Sequence, residues 1–260
     1  MLWPADESGR RDSAKRAESA EAAPAHPRFS QRNKNYFFQS LFLRSFEHVQ
    51  RHRVPWPVVA DRWNGTLAAF ESDGWTVERK SLRLTSRMTV GNDRIGLLDG
   101  GGLSINRTFG YPVIPGSSIK GAIRRAAALS PELADPALVE RILGKPGGVA
   151  SKAHGEVTFF DAIPNRRLTH LEIDAANCHY PEYYSSGVAP ADDQQPEVEY
   201  FLAIPAGTEF LFAIGSDATD SAQLIAGAMK LLDEVLSQTG LGSHTSNGYG
   251  RFAAGAPAAV

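Results

Sequence analysis

Between residues 219 and 238 apolar side chains return at the spacing of one helical face: Leu224, Ile225, Ala228, Leu231, Leu232, Val235 and Leu236. A helix with one apolar side must cover another element, and Gly240 supplies a stop just beyond it. The stretch "TGLGSHTSNGYGRF", Thr239–Phe252, follows, and a short strand is expected over about 249–253. The end of the chain is thereby committed to a helix that returns through a glycine-rich turn into a strand.

Upstream the periods alternate. Residues 81–90 predict a strand, with Leu82, Leu84, Met88 and Val90 mostly on one face and Arg83 and Arg87 on the other. "YPVIPGSSIKGAIRRAA", Tyr111–Ala127, predicts a helix from about 118 to 128. Ser117 or Ser118 is its expected cap, and Ile119, Ala122, Ile123 and Ala126 its buried stripe. Asp135 and Pro136 open a short helix to Leu143. Strands are expected at 155–161 and 168–175, with Asp161 starting a turn that Pro164 completes. Residues 197–204 and 208–214 read as a hairpin turning near Ala206-Gly207.

From residue 81 the order is strand, helix, strands, helix, strand. That order implies an α+β fold, a ferredoxin-like or RRM-like domain with insertions, in which two helices cover one face of a four-stranded sheet. Helical periodicity at 35–50 (Phe37, Leu41, Phe42, Phe46, Val49) and a second helix over Trp56–Phe70 form an N-terminal helical extension. The expected division is a disordered segment at 1–33, rich in Ala, Ser, Pro, Arg and Glu, the helical extension at 34–78, the domain at 79–254 and a tail at 255–260.

The net charge of -2 carries no nucleic-acid signal, but its distribution does. Residues 79–125 hold nine basic residues and two acids, whereas residues 171–200 hold seven acids and no Lys or Arg. A local basic patch concentrates polyanions whatever the total. Cys178 is the one cysteine, which excludes a disulfide or a cysteine-based zinc site within one chain. No stretch has the apolar length of a membrane span, and residence in the cytoplasm is the expectation.

Two stretches carry chemistry. The helix near 118 opens with Lys120 in its first turn, followed by Arg124 and Arg125. Helix starts favour acids because their N–H groups point outward, so a basic start is expected to meet an anion. Lys120 and Arg124 lie four apart, a like-charge repulsion of a few tenths of a kcal/mol, roughly, that a phosphate would reverse. Backbone N–H groups at 118–120 would add donors, and Arg83, Arg87, Arg94, Arg107 and Arg125 would extend the track. In the glycine-rich turn, Gly240, Gly242, Gly248 and Gly250 let backbone approach whatever lies above, Ser243, His244, Thr245, Ser246 and Asn247 add short polar groups, and Arg251 follows. A Walker loop would end in Lys-Ser/Thr, and a dinucleotide loop would follow a strand and open a helix; neither context holds. A helix stop with a tight turn, or a loop laid against a partner or RNA backbone, both remain open.

Other constellations are incomplete. Ser117-x-x-Lys120 with Ser104-Ile105-Asn106 imitates two elements of the penicillin-interacting serine enzymes, but the Lys-Thr-Gly element is missing. His170, Asp174, His179, Asp192 and Asp193 have no spacing that demands a metal, so neither metal nor cofactor is expected. His154 or His244 could serve as acid or base in metal-free RNA cleavage. Tyr180, Tyr183 and Tyr184, in a loop that also carries Asp192 and Asp193, read as a protein interface facing a basic neighbour.

"YPVIPGSSIKGAIRRAA", "FFDAIP", "CHYPEYY" and "GLGSHTSNGYGRF", in this order and at these separations, resemble the RAMP superfamily of CRISPR proteins. Within it they are most similar to the sixth-subunit family of the Cmr, or type III-B, RNA-targeting effector complex. The resemblance covers roughly residues 80–252. It implies a non-catalytic subunit that holds the 3′ part of the CRISPR RNA at the head end and adjoins other Cmr and RAMP subunits, with target RNA as a further partner. Its implied RNA-facing parts are Pro115–Arg125 and Gly240–Gly250, with Arg251. A RAMP endoribonuclease that processes CRISPR RNA without metal is the alternative.

Overall fold

The computed structural model describes residues 31–52, 55–91, 103–130, 135–145, 154–180, 183, 186–190 and 197–253. Two helices come first, α1 (Gln31–His52) and α2 (Trp56–Ser72), and strand β1 (Thr76–Leu84) follows. Next are α3 (Gly116–Leu129), α4 (Pro136–Leu143), and the two-residue strands β2 (Thr158–Phe159) and β3 (Ile163–Pro164). Strands β4 (Glu172–Cys178), β5 (Glu197–Ala203) and β6 (Glu209–Ser216) lead into α5 (Ser221–Glu234), and β7 (Phe252–Ala253) ends the described chain.

The main sheet runs in the order β2-β6-β1-β7, with β3 also on β6 and every neighbouring pair antiparallel. Alternation along β6 decides its faces. Phe210, Phe212 and Ile214 are buried in the main core with Leu82 and Leu84 of β1, Ile119 and Ile123 of α3, and Leu224, Ala228 and Leu232 of α5. Each fully buried Leu or Phe of this kind contributes about 1.5–3 kcal/mol. Leu211, between them, belongs to a second cluster with Val59, Trp63, Tyr111 and Ile163, which places α2 on the opposite side of β6. In α1, Phe46 is buried while Phe37, Leu41 and Val49 are exposed, so the apolar period spans two faces of that helix. The Gln39 side-chain amide donates to the Tyr200 carbonyl and ties α1 to β5.

Three expectations change. The first strand begins at Thr76, not at 81. After Thr76 and Val77 it carries the charged run Glu78-Arg79-Lys80 rather than an apolar alternation, and two of these find partners: Arg79 pairs with Glu71 at 2.7 Å and Lys80 with Asp233 at 2.6 Å. Residues 197–214 are not a hairpin. β5 pairs with β4 in a separate two-stranded sheet, while β6 pairs with β1. The turn between β5 and β6 closes on Leu84 instead, whose carbonyl accepts from the Gly207 N–H and whose N–H donates to the Thr208 carbonyl, both at 2.8 Å. The strand expected over 168–175 accordingly sits at Glu172–Cys178. The expectations for 1–33 fall on described residues only from Gln31, where α1 begins, and those for the tail at 255–260 lie outside them.

Arg141 of α4 holds Glu156 at 2.8 Å and Asp220, at the entry of α5, at 2.7 Å. Its hydrogen bonds hold both carboxyls below the ordinary carboxylate range, and Arg79 does the same for Glu71. A carboxyl depressed in the folded state adds stability above its unfolded pKa of about 4 and loses it as pH falls through the folded value. The urea midpoint is therefore expected to be flat from about pH 7 to 5 and to drop below about pH 4. Arg141→Met should shrink that drop, and an unchanged drop would remove this network from the account of acid lability.

Candidate nucleic-acid interface

Helix α3 starts from Pro115, with no side-chain cap from either serine. The cap is Asp161, whose Oδ1 accepts the Gly116 N–H at 2.8 Å, and whose carbonyl accepts from the Trp63 Nε1–H at 3.1 Å. Both expectations for this corner are corrected: Ser117 and Ser118 do not cap, and Asp161 joins strand end, helix start and α2 rather than opening a local turn. The helix is seated this way because Gly116 touches β2. A Cβ there would lie 1.9 Å from the Phe159 carbonyl oxygen. The Ser118 and Ile119 N–H groups both donate to the Pro115 carbonyl, so they are not the free donors expected of an anion site. Side chains, rather than the opening backbone, must supply any grip on an anion.

The glycine-rich turn is built against its own chain. Gly240 stops the π-helical turn Val235–Thr239 that continues α5, its N–H donating to the Val235 carbonyl at 2.8 Å. Gly242 has φ 100°, and a Cβ on it would lie 2.2 Å from the Thr89 carbonyl oxygen. At Gly250, φ is 70° and a Cβ would lie 1.9 Å from the Leu241 oxygen. The neighbouring Ser243 N–H donates to Thr89, and the Gly250 N–H donates to Arg87. The close approach of three of the four glycines, Gly240, Gly242 and Gly250, is thus made to the carbonyls of Tyr249, Thr89 and Leu241, within the chain. Thr245–Asn247 form one 3-10 turn, and His244, at φ 57°, stacks its ring on Phe201 with centroids 4.7 Å apart and planes 12° apart.

The two stretches meet. Ser117, Ser118, Gly121 and Arg125 of α3 face Gly242 and Ser243 across a groove of about 410 Å³, with Val90 and Gly91 also lining it. Arg125 is exposed. Its neighbour Arg124 turns away and donates to the carbonyls of Leu143 at 2.8 Å and Gly144 at 3.1 Å, where it satisfies the end of α4. Of the three basic residues of α3, Arg125 lines the groove, and the expected Lys120–Arg124 phosphate pair is not assembled there, because Arg124 is engaged at the end of α4. Lys120 is half-buried and has no ion pair among the described residues. Burial, with the Arg124 charge beside it, lowers its ammonium pKa.

Arg87, expected on the RNA track, is bound by Glu172 and Asp174 of β4. Asp174 also accepts from the Tyr249 hydroxyl, so this cluster fastens the glycine-rich turn to β4. Burial raises the Asp174 pKa, but the hydrogen bonds from Tyr249, the Ala175 N–H and Arg87 outweigh it and hold the carboxyl below its usual range. Arg83, Arg107 and Arg251 are exposed, with no carboxylate partner among the described residues. Tyr180 and Tyr183 are exposed, whereas Arg94, Tyr184, Asp192 and Asp193 lie outside the described residues. Among the described residues no three His, Cys, Asp or Glu side chains gather to hold a metal, and no helix is long and apolar enough to cross a membrane.

Asp161 is the functional residue that sequence reasoning missed. Its only local signal, an Asp three residues before a proline, points to a turn. The group it caps is 45 residues away.

Comparison with known proteins agrees with this architecture. The chain is 37% identical over 130 residues to the CRISPR system Cmr subunit Cmr6 of Pyrococcus furiosus; the match covers 47% of this chain and 35% of the relative. A chain in the cryo-EM structure of the type III-B Cmr-beta bound to cognate target RNA superposes with a TM-score of 0.63 at 23% identity, covering 84% of this chain and 72% of that one, a likeness of fold. The crystal structure of Cmr6 from Pyrococcus furiosus is 27% identical, with a TM-score of 0.44 over 68% of this chain and 97% of its own. The model of the RAMP superfamily matches residues 97–253, which include the helix start and the glycine-rich turn, and the chain belongs to that superfamily.

Proposed function

We propose that this chain is a non-catalytic RNA-holding and assembly subunit of a type III-B CRISPR effector complex, seating the 3′ part of the CRISPR RNA at the head end beside other Cmr and RAMP subunits. The observation that carries this reading is the groove in which Ser117, Ser118 and Arg125 face Gly242 and Ser243, with half-buried Lys120 on the same helix. The Cmr6 relative and the superfamily match support the assignment to such a complex. The strand order β2-β6-β1-β7, with α3 and α5 as the long connections, supports a ferredoxin-like reading of the core. Cations and hydroxyls in this arrangement grip phosphate and ribose, not base edges. The exposed side chains of Tyr180 and Tyr183 suit a neighbouring protein.

Lys120→Ala with Arg125→Ala is expected to weaken binding of unrelated single-stranded RNAs about equally. The slope of log affinity against log salt should fall by about 0.7 for each cation removed. Fluorescence anisotropy across a salt series measures both, and an unchanged slope would remove the groove from the RNA path. The purified chain should leave repeat RNA intact. Cleavage that His154→Ala or His244→Ala abolishes would establish the endoribonuclease instead.

A further inference from the structure

The cluster on the Leu211 side of β6 carries a second patch that the proposed function does not use. Phe109 and Tyr111 are near-parallel, with centroids 6.4 Å apart and planes 13° apart, and Trp56 meets Tyr111 edge-on at 5.6 Å. The guanidinium of Arg62 sits 5.8 Å from the centre of the Phe109 ring. The loop that carries Phe109 is rigidly made: Asn106 Oδ1 accepts from the N–H groups of Thr108 and Phe109 at 3.1 and 3.0 Å. The Gly110 N–H closes it onto the Asn106 carbonyl at 2.7 Å, and Gln50 holds the Gly110 carbonyl at 3.0 Å.

The tip of that loop presents Arg107 and Thr108 to solvent, and Arg62 is exposed beside it. Neither arginine has a carboxylate partner among the described residues. Asp161, the carboxylate at this corner, accepts the Gly116 N–H. The patch is physically joined to the groove by that residue, since its carbonyl accepts from Trp63, which packs in the same cluster as Phe109. Pro112–Pro115 runs from one to the other, bridged to the body of the protein at Ile114–Ala162.

From this we infer that the Arg62–Phe109–Arg107 patch is a second single-stranded RNA contact, continuing the strand that leaves the groove at Ser117. Two unpaired cations would hold the backbone, and an aromatic face already backed by an arginine would take an unstacked base. Exposed arginines beside half-buried aromatic side chains also suit a protein hot spot. The absence of acids paired with these arginines among the described residues and the direct connection to the groove favour RNA. The inference rests on the groove reading, and the test separates the two.

Full-length chain is titrated with labelled oligouridylates of about four and about twelve nucleotides, spanning one site or both. Arg62→Ala with Arg107→Ala should leave the short oligomer's affinity unchanged and lower that of the long one about fivefold or more. The salt slope should fall for the long oligomer alone. Phe109→Leu should weaken the long oligomer without changing its salt slope, and thermal melts verify that each variant is folded. If Lys120→Ala with Arg125→Ala weakens both oligomers while the Arg62/Arg107 variant binds the long one normally, the second contact is wrong and the groove stands. If neither oligomer binds wild-type protein, both readings fall. Normal RNA binding by the Arg62/Arg107 variant with loss of co-purifying subunits would make the patch a protein interface and overturn the inference.

Discussion

Gly250→Ala should lower the melting temperature by about 6–12 °C, corresponding to about 3 kcal/mol in a chain of this size. Two costs combine. At φ 70° an L-residue pays about 1–2 kcal/mol for the left-handed backbone. The new Cβ would also stand 1.9 Å from the Leu241 carbonyl oxygen, which itself sits in the turn that Leu241 N–H and Gly250 carbonyl close at 2.9 Å. Neither atom is the loose end of a side chain, so backbone must move. Gly248 separates the two costs: its φ is 88° but nothing lies within 4 Å of its Cβ position. Gly248→Ala should therefore cost only the backbone part, about 1–2 kcal/mol. Scanning calorimetry on both variants tests this, and equal losses would show that crowding at Gly250 is not what restricts it.

Gly116→Ala is the second large effect. Here the Phe159 carbonyl oxygen occupies the site, 1.9 Å from the new Cβ, so the start of α3 must lift from β2 and draw its N–H away from Asp161. A lost cap alone costs about 1 kcal/mol, and the displacement brings the total to about 3 kcal/mol. RNA affinity should fall too, because Ser117 and Ser118 move with the helix start. Gly121→Ala on the same helix has the opposite sign for stability. Nothing lies within 4 Å of its Cβ position, and alanine should add up to about 1 kcal/mol of helix preference. Gly121 lines the groove, so that variant should be more stable yet bind RNA more weakly. Urea denaturation with anisotropy on the same preparations checks both readings, and a Gly116→Ala protein as stable as wild type would show that α3 is not held against β2 as described.

Helices were legible because their signals are local. The stripe Leu224, Ile225, Ala228, Leu231, Leu232 and the Gly240 stop could be placed from spacing alone, as could the Asp135 cap, whose side chain accepts the Ala137 N–H at 3.0 Å. Strands were less legible. The first half of β1 contains the charged run Glu78-Arg79-Lys80, whose suitability for a sheet depends on Glu71 and Asp233, from two different helices. The supposed 197–214 hairpin has the alternation and the Ala-Gly turn of a real one. Whether two adjacent strands pair is decided by what else competes for their edges, and here β4 takes β5 while β1 takes β6.

The site divides along the same line. That the basic helix start and the glycine-rich turn are distinctive could be read from residue types, because cations and Cβ-free positions have fixed chemistry wherever they occur. Which cations remain available could not. Arg124 and Arg125 are adjacent and chemically identical, yet one is spent on the carbonyls at the end of α4 and the other faces the groove, because helical rotation turns neighbouring side chains about 100° apart toward different surroundings. Arg87 was lost to Glu172 and Asp174, and the cap of α3 passed from its own serines to Asp161, for one shared reason: hydrogen-bond and charge partners are chosen by distance in space, and residues far apart in the chain acquire that distance only when the sheet is assembled.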